Sequence, residues 1–332
     1  MCIRDRGRLQ RRQTGLRYRS RHYAVVYHHY PEYTAAEILK KQGGADVMSK
    51  EKVVRKPVEK IKPGQIVLFV VTILLAILFL YPVFFALISA FKSNGDILKN
   101  PIALPTSFYT QNFKDLFAQS DFATAILHSV FLTVVSEVLI VCIVPMAAYG
   151  IERRKSKTTS LIYTYFLAGM MIPFHLYMFP LFKEMKVFHI FGNMVGPIVC
   201  YISGSIAFGT LLYCSFLKGI PLEIEEAAQI DGCTPFQTFW KVTFPLLGPC
   251  TGSMVILNGL GIWNDYLMPY LALPSGKAKT ITVEIASFVG QYTARWDIVF
   301  AGTVISIVPA LIIFCMFQKY FVKGITAGAA KG

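Results

Sequence analysis

The stretch PLEIEEAAQIDGCTPFQTFWKVTFP, residues 221–245, determines how the rest of the chain is interpreted. Pro221 suits a first helical position, the glutamates after it favour a helix start, and Asp231-Gly232 offers a left-handed stop. Thr234-Pro235-Phe236-Gln237 then has the spacing of a capping box, and Pro245 limits the second helix. The stretch predicts a helix of about three turns at most, a sharp turn and a second helix.

Apolar runs flank this stretch on both sides. Of the 332 residues, 54% are hydrophobic and only 16% are charged, which is typical of a polytopic membrane protein. A bilayer core of about 30 Å needs about 20 apolar residues per helix. We therefore predict an all-α membrane protein with six transmembrane helices, near residues 66–90, 124–149, 160–182, 194–217, 246–273 and 298–320.

The distribution of Lys and Arg predicts the orientation. Of 33 such residues, 16 precede residue 66, 4 lie in 150–159, 2 in 218–245 and 3 near the C-terminus, which leaves 8 for the other three loops. The positive-inside rule then places both termini and the 218–245 loop in the cytoplasm. The net charge of +14 is explained by this bias, so we expect no nucleic-acid partner.

Metal and nucleotide chemistry have no support in the sequence. The seven cysteines form no CxxC pair and have no His at ligand spacing, so we expect neither a metal site nor a disulfide framework. The chain also has no G-x-x-x-x-G-K-[ST] phosphate loop. We expect no cofactor in this chain and no enzyme activity of its own.

Residues 1–65 are predicted to be a basic, disordered tail. Residues 1–47 also resemble a spurious translated extension, and Met48 is the alternative start of the protein. We expect a membrane domain over residues 66–321, with the cytoplasmic loop 218–245 inside it, and a C-terminal tail over 322–332.

A family resemblance rests on the central stretch. Glu226-Ala227-Ala228, then Gly232, and, after nine intervening residues, Val242-Thr243-Phe244-Pro245 resemble the EAA loop of ATP-binding-cassette importer permeases. The family's usual ending is Ile-x-Leu-Pro, so Val242 and Phe244 depart from it but stay apolar. The resemblance implies a coupling helix that sits in a cleft of a separate ATPase subunit. The residues expected to carry that coupling are Glu225, Glu226, Ala227, Ala228, Asp231 and Gly232.

Further motifs are similar to the maltose-type, carbohydrate-uptake group of these permeases. They are Asn112-Phe113 with Leu116-Phe117, Ala147 to Gly150 with Glu152 to Arg154, Met171-Ile172-Pro173, and Ile262 to Leu267. His128 departs from the group, which usually has Asn there. The resemblance implies a sugar or oligosaccharide importer in a prokaryotic inner membrane. Its implied partners are a homologous permease, two ATPase subunits that bind ATP and Mg, and an extracytoplasmic substrate-binding protein, which the loop 274–297 would contact.

Polar residues inside the predicted spans are candidates for a substrate path. A carboxylate at a helix centre costs about 2.5–3.5 kcal/mol to insert, so Glu137 should face the bundle interior or a water-filled path. It would contact substrate hydroxyls there or pair with another buried polar group. In the fifth span, Asn258, Trp263, Asn264 and Asp265 suit a carbohydrate. They equally suit close helix packing with interhelical hydrogen bonds, which the neighbouring glycines favour.

Other functions remain open at this level. A polyol or glycerol phosphate could be the solute of the same machinery. A membrane scaffold with a recruiting hairpin would also explain the central stretch. An intramembrane enzyme using Glu137 and His128 is disfavoured, since about two and a half turns of one helix separate them.

Overall fold

The computed structural model describes residues 63–105, 107–274, 278–290 and 294–329, with side chains from residue 64 to residue 318. The described residues form helices and no strand. The predictions for residues 1–62, including the alternative start at Met48, lie outside them. The helices are α1 (Pro63–Ser89), α2 (Asn94–Lys99), α3 (Gln111–Gln119), α4 (Phe122–Arg154), α5 (Lys157–Met170), α6 (Phe174–Val187), α7 (Val195–Leu217), α8 (Leu222–Ile230), α9 (Pro235–Thr238), α10 (Phe244–Leu246), α11 (Gly248–Asn264), α12 (Leu267–Ala272), α13 (Ile281–Ala286) and α14 (Trp296–Ala329).

Backbone contacts divide the chain into two compact units, residues 1–74 and residues 75–332. Of the first unit, the structure describes residues 63–74, which form the beginning of α1. The second unit contains the end of α1 and all the other helices. The packing described below lies within this second unit.

Four helices, α1, α4, α7 and α14, are long and apolar enough to cross a membrane. Two bent pairs pass the same test together, so the described residues contain up to six candidate spans if each pair counts as one. The pairs are α5 with α6, bent by 107°, and Pro235–Leu246 with α11, bent by 76°. The all-α prediction is thus confirmed for the described residues.

The third and fifth predicted spans are not straight helices. The third breaks between Met170 and Phe174, where Pro173 has an extended ψ of 136° and lacks the N–H that a continuing helix needs. The fifth, predicted over 246–273, breaks after Asn264, where Asp265 has a ψ of 127°. A side chain supports this break, because Asp265 Oδ1 accepts a hydrogen bond of 2.9 Å from the Leu267 N–H.

Helices α4, α7 and α11 build the main core of the second unit. Its fully buried members include Ile140 and Val144 on α4, Leu217 on α7, and Leu247 and Met254 at or within α11. The 33-residue helix α4 contributes to this core along much of its length. It therefore packs against both α7 and α11 within this core.

Gly209 on α7 allows the closest approach within this core. A Cβ there would lie 2.5 Å from Met254 Cε and 2.6 Å from Val144 Cγ1, which is far inside van der Waals contact. Gly204, on the same helix, would meet nothing within 4 Å. Small residues at such crossings let helix backbones pack closely in membranes.

Replacing Gly209 by Ala should destabilise the protein, because Val144 and Met254 must both move to admit one methyl group. We expect the free energy of unfolding of Gly209→Ala to be about 1–3 kcal/mol lower than that of Gly204→Ala. Gly204→Ala is the matched control, since it gains the same helix propensity without the clash. The measurement is the thermal unfolding midpoint of each purified variant in one detergent. Equal midpoints would show that α7 does not need the close approach.

Candidate functional site

The central stretch folds as a helix, a turn and a second helix, as the sequence predicts. Helix α8 has nine residues, and Gly232 after it has a φ of +87°, in the left-handed region. The Cys233 N–H closes the turn by donating to the Ala228 carbonyl at 3.0 Å. Thr234 and Gln237 form the predicted capping box at the start of α9.

The second helix differs from the prediction at its end. It continues through a π-helical turn, Phe239–Thr243, into α10, so Pro245 lies inside the helical segment rather than ending it. Proline is tolerated there because it occupies the first turn of α10. π-Helical turns within longer helices are frequent at functional sites.

Helix α8 has two distinct faces. Glu225 and Ala228, three residues apart, are both about 2% exposed and face the rest of the chain. Glu226, Ala227, Asp231 and Gly232, also predicted to couple to an ATPase, are exposed. The six predicted coupling residues are therefore split between an inner and an outer side.

The carboxylate of Glu225 is held by the last two turns of α4. Arg153 Nη2 donates to Oε1 at 2.8 Å, and Arg153 Nε approaches both oxygens, at 3.1 and 3.2 Å. The Tyr149 hydroxyl donates to Oε2 at 2.9 Å. Arg153 Nη2 also reaches the Ile220 carbonyl, at 3.2 Å, just before α8. One buried ion pair with flanking hydrogen bonds thus joins α4 to α8.

This contact changes the interpretation of Glu225. The sequence suggested a charge offered to a partner, but in the structure the carboxylate is used inside the chain. Removing one member of a buried pair costs about 3–5 kcal/mol, because the other charge is left unpaired. Sequence reasoning missed the pairing of Arg153 and Tyr149 with Glu225. A signal existed, since an arginine and a tyrosine four residues apart share one helix face.

The outer face of α8 and the following turn expose apolar side chains beside the charges. Ile230 is 87% exposed, and Ile224 and Phe236 are also exposed. Glu226 lies among them. Apolar residues surrounded by polar ones are typical of protein interfaces. This surface, defined by Ile224, Glu226, Ala227, Ile230 and Phe236, is called the α8 outer face below.

Glu137 is buried in the middle of α4, at 8% exposure. Neither of its carboxyl oxygens has a hydrogen-bond partner among the described residues. Two hydroxyls of the same helix region, those of Thr133 and Ser136, are buried and unpartnered in the same way. Burying such groups without hydrogen bonds costs free energy, so this part of α4 has unused hydrogen-bonding capacity.

The four predicted residues of the fifth span have different surroundings. The Trp263 indole donates to the Ser306 carbonyl of α14 at 3.0 Å, and Asp265 accepts from the Tyr201 hydroxyl at 2.8 Å. Asn264 is exposed and bonds to the Leu260 carbonyl of its own helix. Asn258 differs from them, since its Nδ2 is buried with no partner among the described residues. The structure thus ties Trp263 and Asp265 to neighbouring helices, and does not bring the four into one polar cluster.

The loops at the other end of α4 are joined by polar contacts. Asn94 accepts from the Trp296 N–H at 3.0 Å and donates to the Ala294 carbonyl at 3.1 Å. Arg295 bonds Asp297 through two nitrogens, each at 3.0 Å, and reaches Asp115 on α3 at 3.5 Å. The hydrogen bond to Asp297 raises the pKa of Arg295 above its usual value, so the guanidinium stays charged. The loop between α1 and α4 and the start of α14 therefore form one surface.

These features define a helical, polytopic membrane protein that presents an interface-like helix and turn beside its spans. Residues 140–327 match the family described as the inner membrane component of binding-protein-dependent transport systems. The chain belongs to this family of ATP-binding-cassette importer permeases.

Individual relatives agree with this assignment. The chain is 36% identical over 259 residues to the probable starch degradation products transport system permease protein AmyC of Thermoanaerobacterium thermosulfurigenes, covering 78% of this chain and 94% of that protein. It is 31% identical over 263 residues to the arabinooligosaccharides transport system permease protein AraQ of Bacillus subtilis, covering 78% and 93%.

The fold is also that of a solved transporter subunit. A chain from the crystal structure of a bacterial ABC transporter involved in the import of the acidic polysaccharide alginate superposes with a TM-score of 0.69. The alignment covers 88% of this chain and all of the other, at 20% sequence identity. At that identity the likeness concerns the fold.

Gly232 offers a test of the turn after α8. Valine at a φ of +87° should cost about 1–2 kcal/mol in backbone strain, while asparagine adopts this region readily. No neighbouring atom would obstruct a Cβ there, so any effect comes from the backbone. We expect Gly232→Val to lower solute uptake per ATP hydrolysed by the assembled importer, and Gly232→Asn to stay near the wild type. Wild-type uptake by the valine variant would contradict a role for this turn.

Proposed function

We propose that this chain forms half of the translocation path for a sugar or oligosaccharide in an ATP-driven importer that works by alternating access. The observation that carries the proposal is the α8 outer face. It exposes a mixture of apolar and charged side chains, and the opposite face of the same helix is held by α4. Such a surface suits a separate ATPase subunit. Binding of ATP would close the ATPase dimer, move α8 and switch the bundle between inward-facing and outward-facing forms.

The solute class is inferred from the relatives. The named ones act in the uptake of starch degradation products and arabinooligosaccharides. Identities of 31% and 36% over most of the chain support a carbohydrate more than a polyol or glycerol phosphate. Which sugar is taken would depend on the binding protein and on the second permease as well.

The proposed topology has six spans with both termini in the cytoplasm. The four long helices and the α5–α6 pair supply five of them, and α11, the second part of the other bent pair, supplies the sixth. The excess of Lys and Arg before residue 66 and in the 150–159 loop supports the orientation. In this arrangement α8 lies on the cytoplasmic side of a prokaryotic inner membrane, where an ATPase works.

The proposed assembly contains this chain, a homologous permease, two ATPase subunits and an extracytoplasmic substrate-binding protein. ATP and Mg would be bound by the ATPase subunits, which is in keeping with a permease sequence that has no phosphate-loop motif. The binding protein would dock on the surface formed by the loop between α1 and α4 and the residues before α14. The contacts of Asn94 and Arg295 support this placement, because they give that surface a defined shape.

Within the spans, Glu137 is the residue we propose to contact the solute. Its carboxyl oxygens are buried without a partner among the described residues, and carboxyl groups hydrogen-bond sugar hydroxyls well. Asn258 is the second candidate, for the same reason. Trp263, Asn264 and Asp265 are weaker candidates, since all three side chains already make hydrogen bonds within the chain.

The function is tested by reconstituting the chain with its neighbouring permease, ATPase and binding protein in lipid vesicles. We expect one or more oligosaccharides to stimulate ATP hydrolysis. Glu226→Lys should weaken ATPase binding by about tenfold or more, because it reverses a charge in the proposed interface. Glu152→Lys makes the same reversal of charge near the end of α4, outside the α8 outer face, and is the control.

Three outcomes of that experiment would contradict parts of the proposal. If the complex hydrolyses ATP but no sugar stimulates it, the carbohydrate assignment is wrong and the assignment as an importer still holds. A chain that binds no ATPase would overturn the importer itself. Equal losses from the two lysine variants would show that general surface charge, rather than Glu226, governs binding.

Glu137 is tested by two substitutions of similar size. Glu137→Leu should raise the KM for uptake by about tenfold or more, since one or two hydrogen bonds to the solute are lost. Glu137→Gln should retain most of the affinity because it keeps hydrogen-bonding atoms. Leucine should also leave the thermal midpoint unchanged or higher, as an unsatisfied buried group is removed. A leucine variant with wild-type KM would place Glu137 outside the solute path.

A further inference from the structure

We infer that the ion pair of Arg153 and Glu225, with Tyr149, is the rigid joint that passes movement of α8 to the membrane-spanning helix α4. The inference rests on the proposed function, because it needs an ATPase that moves α8. It assigns to the inner face of α8 a positioning role that is separate from partner binding. Glu225 itself precedes the Glu-Ala-Ala motif at residues 226–228.

The contacts fix Glu225 in more than one direction. Arg153 approaches the carboxylate with Nε and Nη2, while the Tyr149 hydroxyl donates to Oε2. Tyr149 and Arg153 lie one turn apart on α4, so the two donors form a cleft on a single helix face. A planar guanidinium that binds a carboxylate through two nitrogens also restricts rotation of the pair. A carboxylate held in this way cannot slide along α4 without breaking several bonds at once.

Burial makes the joint resistant to opening. The side chains of Arg153 and Glu225 are only 13% and 3% exposed, so water cannot readily replace their contacts. The Tyr149 ring also packs against Phe239, with centroids 5.0 Å apart, which ties the second helix of the stretch to the same place. Displacement of the helix-turn-helix would therefore carry the end of α4 with it.

Helix α4 is suited to carry the displacement further. It is continuous from Phe122 to Arg154 and packs in the core with α7 and α11. Glu137, the proposed solute contact, lies 16 residues before Arg153, or about 24 Å along the helix axis. The helix stays continuous through Pro145, so a shift at the joint would reach this level of the membrane along one helix.

The two faces of α8 thus have different proposed roles. Glu226 and Ala227 face outward, where a partner subunit would bind, and Glu225 faces inward, where α4 is held. Loss of an outward contact should weaken ATPase binding. Loss of the inward contact should leave binding intact and separate hydrolysis from transport.

The experiment uses the complete importer in lipid vesicles and measures solute taken up per ATP hydrolysed. The variants are Arg153→Met, Glu225→Gln and the double variant, all neutral and similar in shape to the originals. Arg154→Met is the matched control, since Arg154 is an exposed neighbour of Arg153 on the same helix. ATPase co-purification and the thermal midpoint are recorded for every variant.

We expect each joint variant to bind the ATPase and hydrolyse ATP, while uptake per ATP falls about tenfold or more. The double variant should lose no more than Arg153→Met alone, because the pair acts as a unit. Glu225→Gln is the mildest change, as its amide still accepts a hydrogen bond. The control should keep the wild-type ratio.

Assembled variants with a wild-type ratio would overturn the joint and leave the pair a purely structural contact. The double variant leaves no unpaired charge. If it still fails to assemble, the role as a joint is also overturned, because the pair is then needed for folding. If the wild-type complex itself neither binds the ATPase nor transports any solute, the proposed function fails. That result is distinct from a transporting wild type whose variants are unaffected.

Discussion

The bilayer supplies no hydrogen-bond partner, so each spanning segment must satisfy its own backbone N–H and C=O groups. In this protein the constraint produces long continuous helices, of which the 33-residue α4 is the central one. Where a segment breaks, the chain itself must satisfy the freed groups. Asp265 does so after α11, by accepting from the first N–H groups of the next short helix. The close contact at Gly209 then fixes α7 against α4 and α11.

Charged groups follow the same constraint at the end of α4. Arg153 and Glu225 come from segments 72 positions apart and meet in a largely buried pair. Because neither can be left alone at low cost, the pair holds α8 in one orientation against the spans. This orientation turns Glu226, Ala227 and Ile230 outward. The interface-like surface of α8 thus depends on a contact on its opposite face.

Unpartnered polar groups in the core stand out against this background. The carboxyl oxygens of Glu137 and the Asn258 Nδ2 are buried without hydrogen bonds among the described residues, whereas Trp263 and Asp265 bond to neighbouring helices. Groups of the first kind are available to a solute or a second subunit. Those of the second kind already hold helices together. This distinction separates residues that were equal candidates for the substrate path on the basis of the sequence.

The sequence by itself determined the helical membrane fold, the helix-turn-helix at residues 221–245 and the family, since these depend on local composition, capping and motif spacing. The breaks at Pro173 and Asp265 were only partly visible, because proline marks the first and a tertiary hydrogen bond from Tyr201 helps hold the second. Only the tertiary structure decided that Glu225 faces inward and Glu226 outward. Adjacent glutamates have the same local propensity, and their roles differ because Arg153 and Tyr149 reach just one of them.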